Sequence, residues 1–287
     1  KITVKLIFPL LLYYDDFETE NPLGLRASVH KLGGLYYTIA GIPKYYASSL
    51  ENIFLGELLY SRDRETFGNK VSFKPIINEL IHLEMCGITI CVDNKEHQIF
   101  FSLVALLGDN LGLNDLLGFN KSFSANFCCR VCRSSKLETK FQFEENMELL
   151  RTVSNYEKDY RNCNYGIKEK CVFNELYFSL KVLNSRIKYF NHTCNIDVGN
   201  SIPPIILHYA RKIKDFGPLR YLSSIRFEAF HKLSKTNARL VNSRINIVFT
   251  LSLNLQLKFA HRILSKKGFD PKIVYGRYVC KISNLPE

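Results

Sequence analysis

Two groups of side chains in this sequence are of types that do chemistry. The first is a set of three acids. Asp15 (or Asp16) follows the apolar run at residues 2–14, Asp109 follows another at 97–107, and Glu228 lies in a stretch with helical spacing. A carboxylate at the C-terminal end of a buried strand sits where open α/β sheets bind ligands. Clustered carboxylates repel one another unless a cation offsets them, and hard oxygen ligands select Mg²⁺ or Mn²⁺. Two such ions, roughly 3.5–4 Å apart, would activate a water or 3′-hydroxyl and stabilise the leaving oxygen in phosphodiester cleavage. The plainer alternative is that Asp109 only caps the next helix. A chain with 27 acids also supplies accidental threes.

The second group is sulfur. Nine cysteines stand at 86, 91, 128, 129, 132, 163, 171, 194 and 280. The number is odd and several lie in apolar surroundings, which fits a reducing compartment better than a disulfide framework. Cys129 and Cys132 have the spacing with which two thiolates grip one tetrahedral zinc, and Cys163, Cys171 or Cys194 is available to complete it. Cys128 reads as a core residue. His208, His231 and His261 fall in helical segments and read as packing or phosphate contacts rather than ligands.

Elements must position these groups. Residues 2–14 read as a strand and 34–42 as its antiparallel partner, with 51–61 ambiguous between strand and helix. Pro75 and Gly87 bracket a helix whose apolar residues fall at helical spacing. A strand, an Asp93-Asn94 turn and a long, doubly buried strand at 97–107 follow, the last placed in the middle of the sheet. That order is most of the β-rich half of a ribonuclease-H-like fold with an added hairpin. A short helix at 110–118 comes next, then surface loops and one short helix over 138–170. A helix is expected at 176–190, a linker at 194–204, and basic helices to the end, including 245–264.

Net charge is +12. Residues 1–150 hold 15 Lys/Arg against 18 Asp/Glu, and 151–287 hold 24 against 9. A basic half suits a polyanion, nucleic acid before an acidic membrane. Arg226, Lys232, Lys235, Arg239 and Arg244 surround Glu228, and on a helix 228, 232, 235 and 239 share a face. That face would grip a phosphate backbone beside a metal site; a solvated face with local ion pairs is the alternative. No stretch is apolar for long enough to span a bilayer. The opening at Lys1 rather than Met reads as a fragment of a longer product.

Four stretches, YYDDFETENPLG, LIHLEMCGI, FFSLVALLGDNLGLNDLLGF followed by CRVC, and GPLRYLSSIRFEAFHKLSK, resemble in sequence and order the transposase domain of CACTA (En/Spm-like) DNA transposons. Together they cover most of residues 8–264. The resemblance implies catalytic acids at Asp15, Asp109 and Glu228 binding Mg²⁺ or Mn²⁺, with Asp16 as an equal candidate for the first. It also implies a structural zinc with Cys129, Cys132 and Cys171, for which Cys163 is the added candidate. It implies DNA as partner and a nuclear location. A homo-oligomer is allowed; no membrane or small-molecule substrate is expected.

The chain also departs from that family, because only 119 residues separate Asp109 from Glu228. Two internal deletions are expected, leaving a decayed or repurposed element. The expected architecture is α/β: a ribonuclease-H-like mixed sheet (1–120), a shortened cysteine-containing zinc insertion (121–205) and a helical, basic C-terminal part (206–287). The expected activity is metal-dependent DNA strand cleavage and transfer. The alternative is an inactive relative acting as a DNA- or protein-binding module.

Overall fold

The computed structural model describes residues 6–19, 31–40, 42, 46, 49–122, 124–176, 208, 213–214, 224–241 and 245–265. Strands β1 (Leu6–Glu18), β2 (Lys31–Ile39) and β3 (Phe54–Tyr60) form an antiparallel meander. Helices α1 (Ser61–Ser72) and α2 (Lys74–Met85) lead to the hairpin of β4 (Ile88–Val92) and β5 (Lys95–Gly108). Then come α3 (Asn110–Leu116), α4 (Lys136–Phe141), α5 (Val153–Arg161), α6 (Ile225–Leu240) and α7 (Ile247–Leu264). The sheet order is β3-β2-β1-β5-β4, with β5 parallel to β1 and the other pairs antiparallel. The fold is mixed α/β on a five-stranded mixed sheet.

β1 is almost continuously apolar because both its faces are covered. Its even residues Leu10, Leu12 and Tyr14 pack with Phe73, Ile77 and Leu80 at α2 and with Leu113 of α3. Its odd residues Leu11 and Tyr13 pack with Phe227 and Phe230 of α6, and Phe17 with Ala238, Ile247 and Leu251 of α6 and α7. Helices therefore close the sheet from both sides. Tyr156 and the stretch Cys171–Phe173 join the α2-side core, so part of the cysteine region shares that core.

The β4–β5 turn places Asp93 and Asn94 at φ 51° and 60°, the two left-handed residues a tight hairpin needs. Other expectations are corrected. β1, not the strand ending at Gly108, holds the centre of the sheet. β2 begins at Lys31, and the ambiguous 51–61 stretch is a 3₁₀ turn at Leu50–Asn52 followed by β3. α1 was not legible: SRDRETFGNKVS lacks an apolar stripe, and Gly68 breaks its helical backbone at φ 77°. Two helices, not one, occupy 138–170. The expected helix at 176–190 and linker at 194–204 lie outside the described residues. Among the described residues no helix is long and apolar enough to cross a membrane.

Candidate active site and candidate metal centre

β1 and β5 are parallel neighbours, and their pairing ends with Tyr14 in register with Gly108. β1 does not stop at 14 as expected: it runs on to Glu18 paired with β2, so Asp15 and Asp16 lie within the strand. A side chain at 108 would not fit: a Cβ there would stand 2.7 Å from the Tyr14 carbonyl oxygen. The next residues along are Asp15 and Asp109. Strand alternation then separates the two adjacent acids of β1, because successive side chains point to opposite faces. Asp15 goes to the α6 face with Tyr13; Asp16 goes to the α1 face with Tyr14.

Their surroundings differ sharply. Asp16 Oδ1 accepts from Tyr14 Oη (2.7 Å) and Ser61 Oγ (2.9 Å), while Oδ2 pairs with Lys31 (3.2 Å) and Arg64 (3.5 Å). Burial opposes its ionisation, but these partners outweigh it and hold the carboxyl below its usual range. Both oxygens are committed. Asp15 is different: Tyr13 Oη (3.3 Å) and His231 Nδ1 (3.4 Å) both approach Oδ2, and Oδ1 has no partner among the described residues.

Asp109 and Glu228 repeat the Asp15 pattern. Asp109 caps α3, its Oδ1 accepting from the Gly112 N–H at 2.5 Å. Glu228, exposed in the first turn of α6, accepts from Ser224 Oγ at 3.0 Å through Oε1. Each acid thus anchors one oxygen and leaves the other open. Burial pushes the Tyr13 phenol up, and the charges of Asp15, Glu228 and Asp109 push it further, so all three act on one hydroxyl. Asp109 is held above the usual carboxylate range by burial, with Asp15 and Asp16 adding to it and the Gly112 bond and Arg130 tempering it. Among the described residues no lysine or arginine forms an ion pair with Asp15, Asp109 or Glu228. The three are gathered but not closed. Among the described residues, the group of candidate ligands whose atoms all lie within 4.8 Å is a different one.

That group is Cys129, Cys132 and His208, all buried. His208 Nε2 lies 3.6 Å from Cys129 Sγ, and its Nδ1 meets the Glu145 carboxylate, as in the carboxylate–histidine arrangement that orients metal-binding imidazoles. The Cys132 thiol, the neighbouring N–H groups and Arg130 bring the Cys129 thiol down to about 7 despite burial. The resulting negative sulfur and burial push the Cys132 thiol up. One proton therefore leaves the pair easily, as a metal-binding pair requires. Arg151 donates to the Cys129 carbonyl (3.1 Å from Nη2) and lays its guanidinium 4.9 Å over the Phe119 ring.

Sequence reasoning placed Cys163 and Cys171 in this centre, and the structure places neither there. Cys163 is exposed in a turn at φ 50°, and Cys171 is buried in the α2-side core, its N–H donating to Tyr156 Oη. His208, read as a packing or phosphate contact, takes the third position. Cys128 is half-buried rather than a core residue. Cys194 and Arg244 lie outside the described residues. On α6, C-terminal to Glu228, Lys232 and Arg239 are exposed and Lys235 is half-buried, while the Arg226 guanidinium lies 5.0 Å over the Phe227 ring. His231, another supposed contact, is buried against Asp15. No family model matches the chain, and no curated protein matches it.

Proposed function

We propose that this chain is a transposase-derived, DNA-binding protein whose ribonuclease-H-like core is of the DDE type. The ancestral reaction is metal-dependent cleavage and transfer of DNA strands. The single observation that carries the reading is three carboxylates, one from β1, one just past the end of β5 and one from α6, each with one anchored and one open oxygen. The strand order, with β5 parallel to a central β1 after an antiparallel meander, supports the fold assignment. Asp15, Asp109 and Glu228 fit Mg²⁺ or Mn²⁺ because their donors are hard oxygens that no lysine or arginine pairs with among the described residues. Such ions would supply Lewis-acid activation of a water or 3′-hydroxyl and stabilise the leaving oxygen. The protein's part is to orient: Gly112 and Ser224 hold the Asp109 and Glu228 carboxylates, and Lys232, Lys235 and Arg239 bind the phosphates alongside. Cys129, Cys132 and His208 fit a structural Zn²⁺, since two thiolates and an imidazole are its preferred donors. The nucleus is the compartment this reading assigns. A second reading, a binding module without turnover, is favoured by the short 119-residue span between Asp109 and Glu228.

The test compares the parent with Asp109→Asn. Mn²⁺ at a hundred times its Kd should stabilise the parent by about 2.7 kcal/mol. Asn caps a helix about as well as Asp, and it removes repulsion. Asp109→Asn should therefore melt higher than the parent without metal and gain nothing from Mn²⁺. Equal metal responses in calorimetry would remove Asp109 as a ligand. Mn²⁺-dependent nicking of supercoiled DNA by the parent, absent in the variant, separates the active reading from the inactive one.

A further inference from the structure

We infer that His231 and Tyr13 are positioning residues that hold Asp15 by one oxygen and so present the other to the carboxylate cluster; this rests on the metal-binding reading of that cluster. His231 is 3% exposed. Its ring is wedged among those of Tyr13, Phe17 and Tyr36, with centroids 5.6, 4.9 and 5.0 Å away. Tyr13 is itself fixed by stacking on Phe227, at 4.7 Å with 10° between the planes. Two rigid groups thus converge on Asp15 Oδ2, through Tyr13 Oη at 3.3 Å and His231 Nδ1 at 3.4 Å.

The far side of the imidazole shows which end matters. Nε2 is buried and has no hydrogen-bond partner among the described residues. A ring needed only for packing would carry no such cost, since phenylalanine fills the same aromatic cage without an orphaned nitrogen. An unpaired buried acceptor is tolerated more readily than an unpaired buried N–H, so the proton of the neutral ring belongs on Nδ1, aimed at Asp15. With Oδ2 approached from two directions, Oδ1 is the atom left for a cation. The Tyr13 hydrogen bond is long at 3.3 Å, and the imidazole stands at ion-pair distance, 3.4 Å, from the same oxygen; hydrogen bonds around a ligand site are commonly long in its absence.

The experiment is a Mn²⁺ titration of the full chain, read by the paramagnetic resonance signal of free Mn²⁺ and by thermal shift. His231→Phe keeps the ring and removes the donor; His231→Asn keeps a donor, since Asn Nδ2 occupies the place of His Nδ1. His231→Phe should weaken Mn²⁺ binding by about 10–100-fold, the usual effect of losing an outer-shell partner. His231→Asn should restore most of it, and Tyr13→Phe should weaken binding less than His231→Phe. Unchanged Mn²⁺ affinity in His231→Phe would reduce His231 to packing and leave the metal site standing. Absence of Mn²⁺ binding by the parent would overturn both. Should His231→Phe not fold, unchanged affinity in Tyr13→Phe overturns the inference on its own.

Discussion

The carboxylate cluster and the cysteine centre are built on opposite plans. Cys129, Cys132 and His208 are 4%, 1% and 0% exposed, and backbone groups, Glu145 and Arg151 wrap them. Asp15, Asp109 and Glu228 stand half-buried or exposed, each with an oxygen to spare. A closed set of donors suits an ion that holds a fold together, and an open set suits ions that must also touch a substrate. The same contrast recurs at the scale of one residue on β1, where Asp16 is fully committed and Asp15 is not.

The largest effect should come from breaking the closed centre. Cys132→Ser should purify without zinc by elemental analysis and melt well below the parent, because structural metal binding is part of the folding free energy. A zinc-free parent of normal stability would dissolve the contrast. Next comes the pair on β1. Asp16→Asn should cost about 2 kcal/mol in denaturant unfolding, below the usual loss for a broken buried pair because Arg64 retains Asp115. Asp15→Asn should change stability by less than about 0.5 kcal/mol, like other changes away from committed groups. The Asp16 effect has a pH signature. Its folded carboxyl titrates below the ordinary 3.8, so its contribution is complete above that value and disappears as pH falls through the lower, folded value. Equal losses in the two variants would mean that Asp15 is also structural. The smallest effect concerns the open site's surroundings. Reversing Lys232, Lys235 and Arg239 together should weaken binding to any duplex sequence and flatten its log–log salt slope by up to about 2.7, three phosphate contacts' worth. An unchanged slope would take this face of α6 away from the DNA.

Much of the fold was written in local patterns. The first two strands, the hairpin turn and the Pro75-to-Gly87 helix follow from periodicity and turn residues, although β1 and β2 run over Leu6–Glu18 and Lys31–Ile39 and not 2–14 and 34–42. The choice between Asp15 and Asp16 does not, because it depends on which face of β1 meets α6, a register fact that no local pattern contains. α1 was missed because its buried residues are Ser61, Arg64 and Asn69, which are polar. Arg64 is buried there for its ion pairs with Asp16 and Asp115. The cysteine centre was half legible. Cys129 and Cys132 announce themselves by spacing, but His208 stands 76 residues beyond Cys132 and is brought in only by the tertiary fold. Its one local hint, a histidine after an apolar run, is shared by His261, which lies exposed on α7. Tyr13 and His231 carried no signal as partners of Asp15, since one reads as the end of an apolar run and the other as a packing or phosphate contact.

The parallel pairing of β1 with β5 also sets a timetable. A meander of neighbouring strands closes short loops, whereas joining β1 to β5 must wait for about ninety more residues, and non-local pairings form slowly. Glu228 arrives on α6 a further 119 residues after Asp109. During synthesis the first acid therefore emerges long before either companion, and the second still lacks the third. A chain cut short anywhere before α6 carries an incomplete set of ligands. Whatever these acids bind together, the full set of three exists only once α6 has been made.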